Sequence, residues 1–563
     1  MSAPGPLDLL IRDATVYDGS GVDPCVADVA LRDGRIVAVS RGIDLPAAEI
    51  CNAEGLALAP GFIDIHTHYD AQITWDPTLS PSPALGVTTV VIGNCGFGIA
   101  PCRPDMRELL MENLAVVEGM DLGVLRAGLN WQFETFDEYL AQIERSGVYP
   151  NVAVLVGHTP VRLAVMGEDA ARRPASDDEI ARMKALIVQA LRSGAVGFAT
   201  SISRNHTGFR GLPVPSRFAD EREMHAVADA LREAGKGVFG TVGQQQTAAD
   251  LADISRRTGR PVLFNAAFHV DSAPGKALDY LDGCKNANEH GLSVRALVSP
   301  LPIAMEFTLE NAMPLFSNPA WDPLRQLGPA ELRTALASRG FRENFMRELK
   351  QPSSNMAFQG DWTRMELSRP ATEKYRHLDG QNFASIAQSL GKDAVDAFFD
   401  IGLDEDLGTL YTSNTINADE DRVEPLLVHD GGMISASDAG AHIDFMCNAG
   451  YGLHVLGHWV RKRRALELSD AIRRLTSLPA AVIGLPDRGR IAAGCHGDLL
   501  LFDPSTVGVS PKRRAADLPG GGTRVVADPV GVHGVWVNGA RVFDGRGYVA
   551  LRHGPGQVLR HFS

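Results

Sequence analysis

Two histidines one residue apart, His66 and His68, close the stretch Gly61-Phe62-Ile63-Asp64-Ile65-His66-Thr67-His68. The stretch begins apolar and ends polar. Side chains two apart on a strand point to the same face, so at a strand end these two imidazoles converge. Convergent imidazoles suit a zinc-class cation. A second such end is Ser435-Ala436-Ser437-Asp438-Ala439-Gly440-Ala441-His442. Asp438 there can reach the same metal, take a proton from a water that the metal acidifies, and hand it to a leaving nitrogen. Plainer readings stand beside these. A His-x-His pair also occurs without metal, and an aspartate at this point also caps a following helix.

The elements that must position these groups are legible in outline. Strand-like apolar runs cover Leu58 to Ile65, Thr88 to Ile92, Val152 to Val156, Val196 to Thr200, Val238 to Thr241, Val262 to Asn265, Ser293 to Val298 and Met433 to Ser437. Helix-patterned segments, such as Glu179 to Ser193 and Glu221 to Ala234, lie between several of them. Eight buried-looking strands with intervening helices predict a (β/α)8, TIM-like barrel. The stretch between the last two strands is too long for one crossover, so an insertion around 301–432 is expected, helical and near the active-site face. The two ends of the chain differ from the middle. They read as short strands, with Asp33-Gly34 and Asn538-Gly539 as hairpin turns. The expected organisation is a barrel over 59–486 and a small β-sandwich domain built from 1–58 and 487–563.

Charge and cysteine usage narrow the partners. Over 563 residues the formal net charge is −14, which opposes phosphate binding, so no nucleic acid is expected. The one basic cluster, Arg461-Lys462-Arg463-Arg464, lies in a helix-patterned segment and reads as a solvated face. No apolar run is long enough to span a membrane. The opening residues show no basic region followed by an apolar core, so no secretory signal is expected. Cys25, Cys51, Cys95, Cys102, Cys284, Cys447 and Cys495 are scattered and odd in number, with no Cys-x-x-Cys pair. A reducing cytoplasm fits them. Gly-x-Ser-x-Gly elbows and phosphate-binding Gly-x-x-x-x-Gly-Lys loops are both absent.

Several stretches resemble the amidohydrolase superfamily, and within it the D-aminoacylase branch, the N-acyl-D-amino-acid deacylases. Pro60-Gly61-Phe62-Ile63-Asp64-Ile65-His66-Thr67-His68 is similar to the first-strand motif, and Gly93-Asn94-Cys95-Gly96-Phe97-Gly98-Ile99-Ala100-Pro101 to the second. Val156-Gly157-His158 resembles a third-strand segment; Asp487-Arg488-Gly489-Arg490-Ile491 and Gly497-Asp498-Leu499 resemble the return to the β domain. The resemblance runs over nearly the whole chain. It implies His66 and His68 as metal ligands, Cys95 as a thiolate ligand, and Asp438 as ligand and general base. A small buried hydrophobe is the alternative for Cys95. A small-molecule substrate and a homo-oligomer are implied as well.

The pattern then breaks. The family places a histidine at the end of strand five and another at the end of strand six. Val238-Phe239-Gly240-Thr241-Val242-Gly243-Gln244-Gln245-Gln246 contains none, and the strand-six histidine and its following lysine would fall near Ala266 and Phe268. His269 is either a substitute ligand, three residues out of register, or a loop or core histidine. The expectation is therefore one zinc ion at His66, His68 and Asp438, with Cys95, and a second position lacking its ligands. Arg204 and Arg217 suit the bidentate grip of a substrate carboxylate, or are surface arginines. His158, His206 and His442 suit polarising a carbonyl or orienting a neighbour, or make structural hydrogen bonds. The expected reaction is hydrolysis of an amide C–N bond in an N-acyl amino acid or related molecule. A cyclic amide or an ester is the alternative substrate, and a catalytically inactive scaffold the alternative role.

Overall fold

Phe62–Asp64 (β1), Val87–Ile92 (β2), Asn151–Gly157 (β3), Gly197–Ser201 (β4), Val238–Val242 (β5), Val262–Phe264 (β6), Val294–Val298 (β7) and Gly432–Ile434 (β8) form one sheet in chain order. Every neighbouring pair in it is parallel. This computed structural model describes residues 6–563, apart from 205, 209–211, 244–245, 272, 326, 352–355, 357, 445 and the side chains of 313 and 415. Gln244 and Gln245 of the strand-five segment therefore lie outside the described residues.

The sheet closes where the chemistry is expected. Thr67, past β1, bridges in parallel to Ala439, past β8. His68 donates its backbone N–H to Ala439 O at 2.7 Å, and Asp438 donates to His66 O at 3.2 Å. The ring of strands is a TIM-like barrel. Its strands are apolar on both faces because helices cover the outside and side chains fill the middle. Ile63, Val91, Leu155, Val196, Leu297 and Met433 belong to one buried cluster within it.

One strand differs from expectation. Leu58 to Ile65 is not a single barrel strand. Ala57–Pro60 pairs antiparallel with Leu499–Phe502 and parallel with the end of Leu7–Val16, and only Phe62–Asp64 joins the barrel. Gly61 makes the change of sheet: a Cβ there would lie 2.1 Å from Thr88 Cγ2, so no larger residue fits. An unbroken apolar run hides such a switch, because both halves are buried.

Strands from both ends of the chain form the small β domain as one eight-stranded mixed sheet. Its predicted hairpins are present. Asp33 and Gly34 both have positive φ, as do Asn538 and Gly539, which suits two-residue turns. The chain packs as two compact units, the second consisting of Phe268–Asp279 and Leu301–Pro425. That second unit is not purely helical. Helices such as Arg339–Leu349 and Ala394–Asp404 accompany a four-stranded antiparallel sheet of Ile303–Phe307, Leu410–Ile416, Met365–Arg369 and Gln381–Asn382. Its core is aromatic, with Trp321, Phe345, Phe398, Phe399 and Tyr411 buried together.

Candidate metal centre

The donor atoms converge beyond the ends of β1, β2 and β8. His66 Nε2, His68 Nε2 and Cys95 Sγ surround one point, with Sγ 3.5 Å from the first and 3.9 Å from the second. Asp438 Oδ1 lies 3.3 Å from His66 Nε2 and 3.1 Å from His68 Nε2. The ligating atoms of His66, His68 and Cys95 all fall within 4.8 Å of one another, close enough for one cation to touch all three. Asp438 is more open than the two histidines: 30% of its side chain is exposed, against 2% for His66 and 4% for His68.

Local backbone aims these groups. Cys95 sits in a single tight turn, Asn94–Gly96, with φ 53°. Asp438 and His442 are also left-handed, at φ 55° and 54°. Such conformations outside glycine cost about 1–3 kcal/mol each and cluster at functional sites. The close backbone approach of β1 and β8 needs Gly440, where a Cβ would lie 2.7 Å from the His68 carbonyl carbon.

The electrostatics ask for positive charge. Burial works to raise the Cys95 thiol, but the His66 and His68 imidazoles overcome it and bring it down to about 7. Burial opposes charge on Asp438 too, yet hydrogen bonds and charge from His66 and His68 hold it well below the usual carboxylate range. Conversely, burial would lower His66, but Cys95 and Asp438 raise it to about 9. A thiolate and a carboxylate crowding two imidazoles is a donor set that a cation neutralises, so the residues present fit a zinc-class ion.

A layer behind these donors was not foreseen. Glu118 Oε1 lies 3.3 Å from His68 Nδ1, with both side chains buried, and burial pushes its carboxyl up to about 8. Glu118 O also accepts from His442 N at 2.5 Å. Glu118 follows the helix Arg107–Val117 and belongs to no motif, so nothing in the sequence singled it out. Asn265, at the end of β6, places its amide nitrogen 3.0 Å from His66 Nε2. Its signal was faint: one polar residue closing an apolar run. Asp64 accepts from His66 N at 3.2 Å, and Asp70 from Gly93 N at 3.1 Å; burial pushes each carboxyl up to about 6.

The remaining expected residues separate. His442 Nε2 stands 3.9 Å from Asp438 Oδ2. His206 packs edge-on to Phe97 and bonds Ser201 Oγ through Nδ1 at 2.6 Å, and burial lowers its ring to about 3. Arg217 donates to the carbonyls of Arg204 and His206, both at 3.3 Å, while Arg204 is exposed. His158 is fully buried with both ring nitrogens engaged, Nδ1 with Thr200 Oγ1 and Nε2 with Glu223 Oε1, each at 2.8 Å. His269 belongs to the second unit, where its Nε2 lies 3.1 Å from Asp271 Oδ1.

A (β/α)8 barrel keeps its chemistry at the C-terminal strand ends, and there this chain gathers imidazole, thiol and carboxylate, the equipment of a barrel hydrolase. Comparison with known proteins makes the assignment narrower: the chain belongs to the amidohydrolase family, whose model matches residues 49–543. It is similar to the N-acyl-D-aspartate deacylase of Alcaligenes xylosoxydans xylosoxydans, with 29% identity over 99% of this chain and 96% of that one. The N-acyl-D-glutamate deacylase of Bordetella bronchiseptica, solved with zinc and a phosphonate mimic of the tetrahedral intermediate, superposes with a TM-score of 0.68 at 26% identity, covering 99% of this chain and 100% of that one. A D-aminoacylase, whose binuclear metal centre is described as activated by one metal and attenuated by a second, superposes with a TM-score of 0.65 at 26% identity, covering 99% and 100%.

Proposed function

We propose that this chain is a metal-dependent hydrolase that cleaves the amide C–N bond of an N-acyl amino acid, on one zinc ion held by His66, His68 and Cys95, with Asp438 as ligand and proton shuttle. The convergence of His66 Nε2, His68 Nε2, Cys95 Sγ and Asp438 Oδ1 on one point carries the reading. A bound zinc-class cation supplies Lewis acidity to the scissile carbonyl and the attacking water. Asp438 is held ionised, so its Oδ1 accepts the proton of the attacking water and returns it to the leaving nitrogen. His442, beside Asp438 Oδ2, orients that carboxylate. Arg217 supplies positive charge for the substrate carboxylate, with Arg204 beside it.

The relatives named above act on N-acyl-D-amino acids, which supports an N-acyl amino acid as the substrate class. The strand-six end reads Asn265-Ala266-Ala267-Phe268 and brings no lysine to a carboxylate, which favours testing cyclic amides and esters alongside. All seven cysteines are unpaired, which supports the cytoplasm as its compartment. No helix among the described residues is long and apolar enough to cross a membrane.

The test is to strip metal from the purified chain, restore zinc in steps, and assay N-acyl-D- and N-acyl-L-amino acids, hydantoins and esters. Activity should rise to a plateau at one equivalent of zinc. A chain that binds no zinc, or hydrolyses nothing in the panel when loaded, overturns the reading in favour of an inactive scaffold.

A further inference from the structure

Asn265 is the first residue after β6, and its amide faces the cluster of His66 and Cys95. Its Nδ2 lies 3.0 Å from His66 Nε2 and 3.9 Å from Cys95 Sγ. Its Oδ1 is buried and has no hydrogen-bond partner. Buried acceptors are almost always satisfied, so an orphan of this kind beside a donor cluster needs a physical reason.

The two ends of a carboxamide have the same shape, and which is oxygen is decided by the surrounding bonds. As placed, the amide N–H group offers partial positive charge to an imidazole nitrogen and a thiol sulfur. It fills the electrostatic role that a cation takes when those two atoms are ligands. Half a turn about the Cβ–Cγ bond puts Oδ1 there instead. With His66 Nε2 and the Cys95 thiolate presenting lone pairs, an amide oxygen facing them is repelled unless a cation lies between. A cation at that point turns all three into ligands.

We propose that Asn265 is a further protein ligand of the metal, binding through Oδ1 beside His66, His68 and Cys95. The inference rests on the metal reading above. It gives the strand-six end a part in the centre although no histidine is there. It also makes one ion sufficient: two imidazoles, a thiolate and a neutral amide oxygen hold it, with Asp438 toward the open side. The amide oxygen adds a ligand without adding charge, which suits a site already carrying the Cys95 thiolate and the Asp438 carboxylate.

The experiment compares wild type, N265A and N265D by zinc competition titration and by the absorption spectrum of the cobalt-substituted protein. Loss of a direct ligand in N265A should lower zinc affinity at least about ten-fold and change the cobalt ligand-field bands. N265D keeps an oxygen there and should recover most of the affinity, with bands displaced by the new charge. A cobalt spectrum in N265A identical to wild type overturns the proposal, whatever happens to affinity or turnover, because Asn265 then acts outside the coordination sphere. Where N265A does not fold, N265D decides alone: displaced bands support direct ligation and unchanged bands overturn it. Wild type that takes up no metal overturns the parent reading and this one together. Metal uptake with an unchanged N265A spectrum overturns only this one.

Discussion

Cys95 and Asp438 reach the same point from left-handed backbone positions, and neither conformation is written in the residue type. The proposed roles give separable expectations for each side chain. Asp438→Asn keeps the shape and removes the base; zinc should still bind, while kcat falls about 10²–10⁴-fold, the usual worth of a positioned general base. Steady-state kinetics with the metal content measured on the same sample separates the two. Glu118 acts one step back. With Oε1 3.3 Å from His68 Nδ1, its carboxyl favours a proton on Nδ1, the tautomer that leaves Nε2 free for a cation. Glu118→Ala should weaken zinc binding about 10–100-fold, and Glu118→Gln, which keeps an acceptor, should weaken it less. Zinc titration of the two variants checks this; equal affinities for both and wild type would remove Glu118 from the account.

At the scale of elements, the barrel wall holds a buried charge network. Glu223, from helix Glu221–Ala234, pairs with Arg162 of helix His158–Met166 and with His158 Nε2, all three fully buried. Removing one partner leaves the other charge uncompensated. Arg162→Met should therefore cost about 3–5 kcal/mol, measurable by denaturant unfolding. His158, with both nitrogens engaged here, ties the end of β3 to that network. A second element carries a pH response. His454 packs on His458 at the entry to the π-helical stretch Val455–Lys462, and burial, with the charge of His458 and Lys462, lowers its ring to about 4. Between that value and the ordinary 6.5, the unfolded chain binds the proton and the folded chain does not. Stability is thus full above about 6.5, falls as pH drops through the window by about 1.4 kcal/mol per unit, and levels below it. His454→Gln should flatten that slope in thermal melts taken from pH 7 to 4.5.

For the whole molecule, the division into two units makes stability and metal binding separable. His66, His68, Cys95, Asn265 and Asp438 all lie in the first unit, while the aromatic core around Phe399 lies in the second. Phe399 is buried against Phe345, Phe398 and Trp321. Phe399→Ala should cost about 3–5 kcal/mol in the unfolding of that unit and leave zinc affinity unchanged. Calorimetry with zinc titration on the same variant checks both halves.

The sequence by itself determined the barrel and pointed to its candidate donors. Successive apolar runs separated by helix-patterned segments mark parallel strands, and His66, His68 and Asp438 stand out because polar groups interrupt such runs at their ends, while Cys95 is singled out by the family resemblance. Periodicity is a local property, so it survives in one dimension. The tertiary structure decided what depends on distance between remote residues. It split Leu58 to Ile65 between two sheets at Gly61, set Glu118 against His68, turned Asn265 toward His66, and gave the second unit a sheet as well as helices. Glu118 and His68 are 50 positions apart and His66 and Asn265 are 199 apart, so no spacing rule connects them. Only the closed barrel, with the segments that follow its strands folded over their ends, makes them neighbours of the paired histidines.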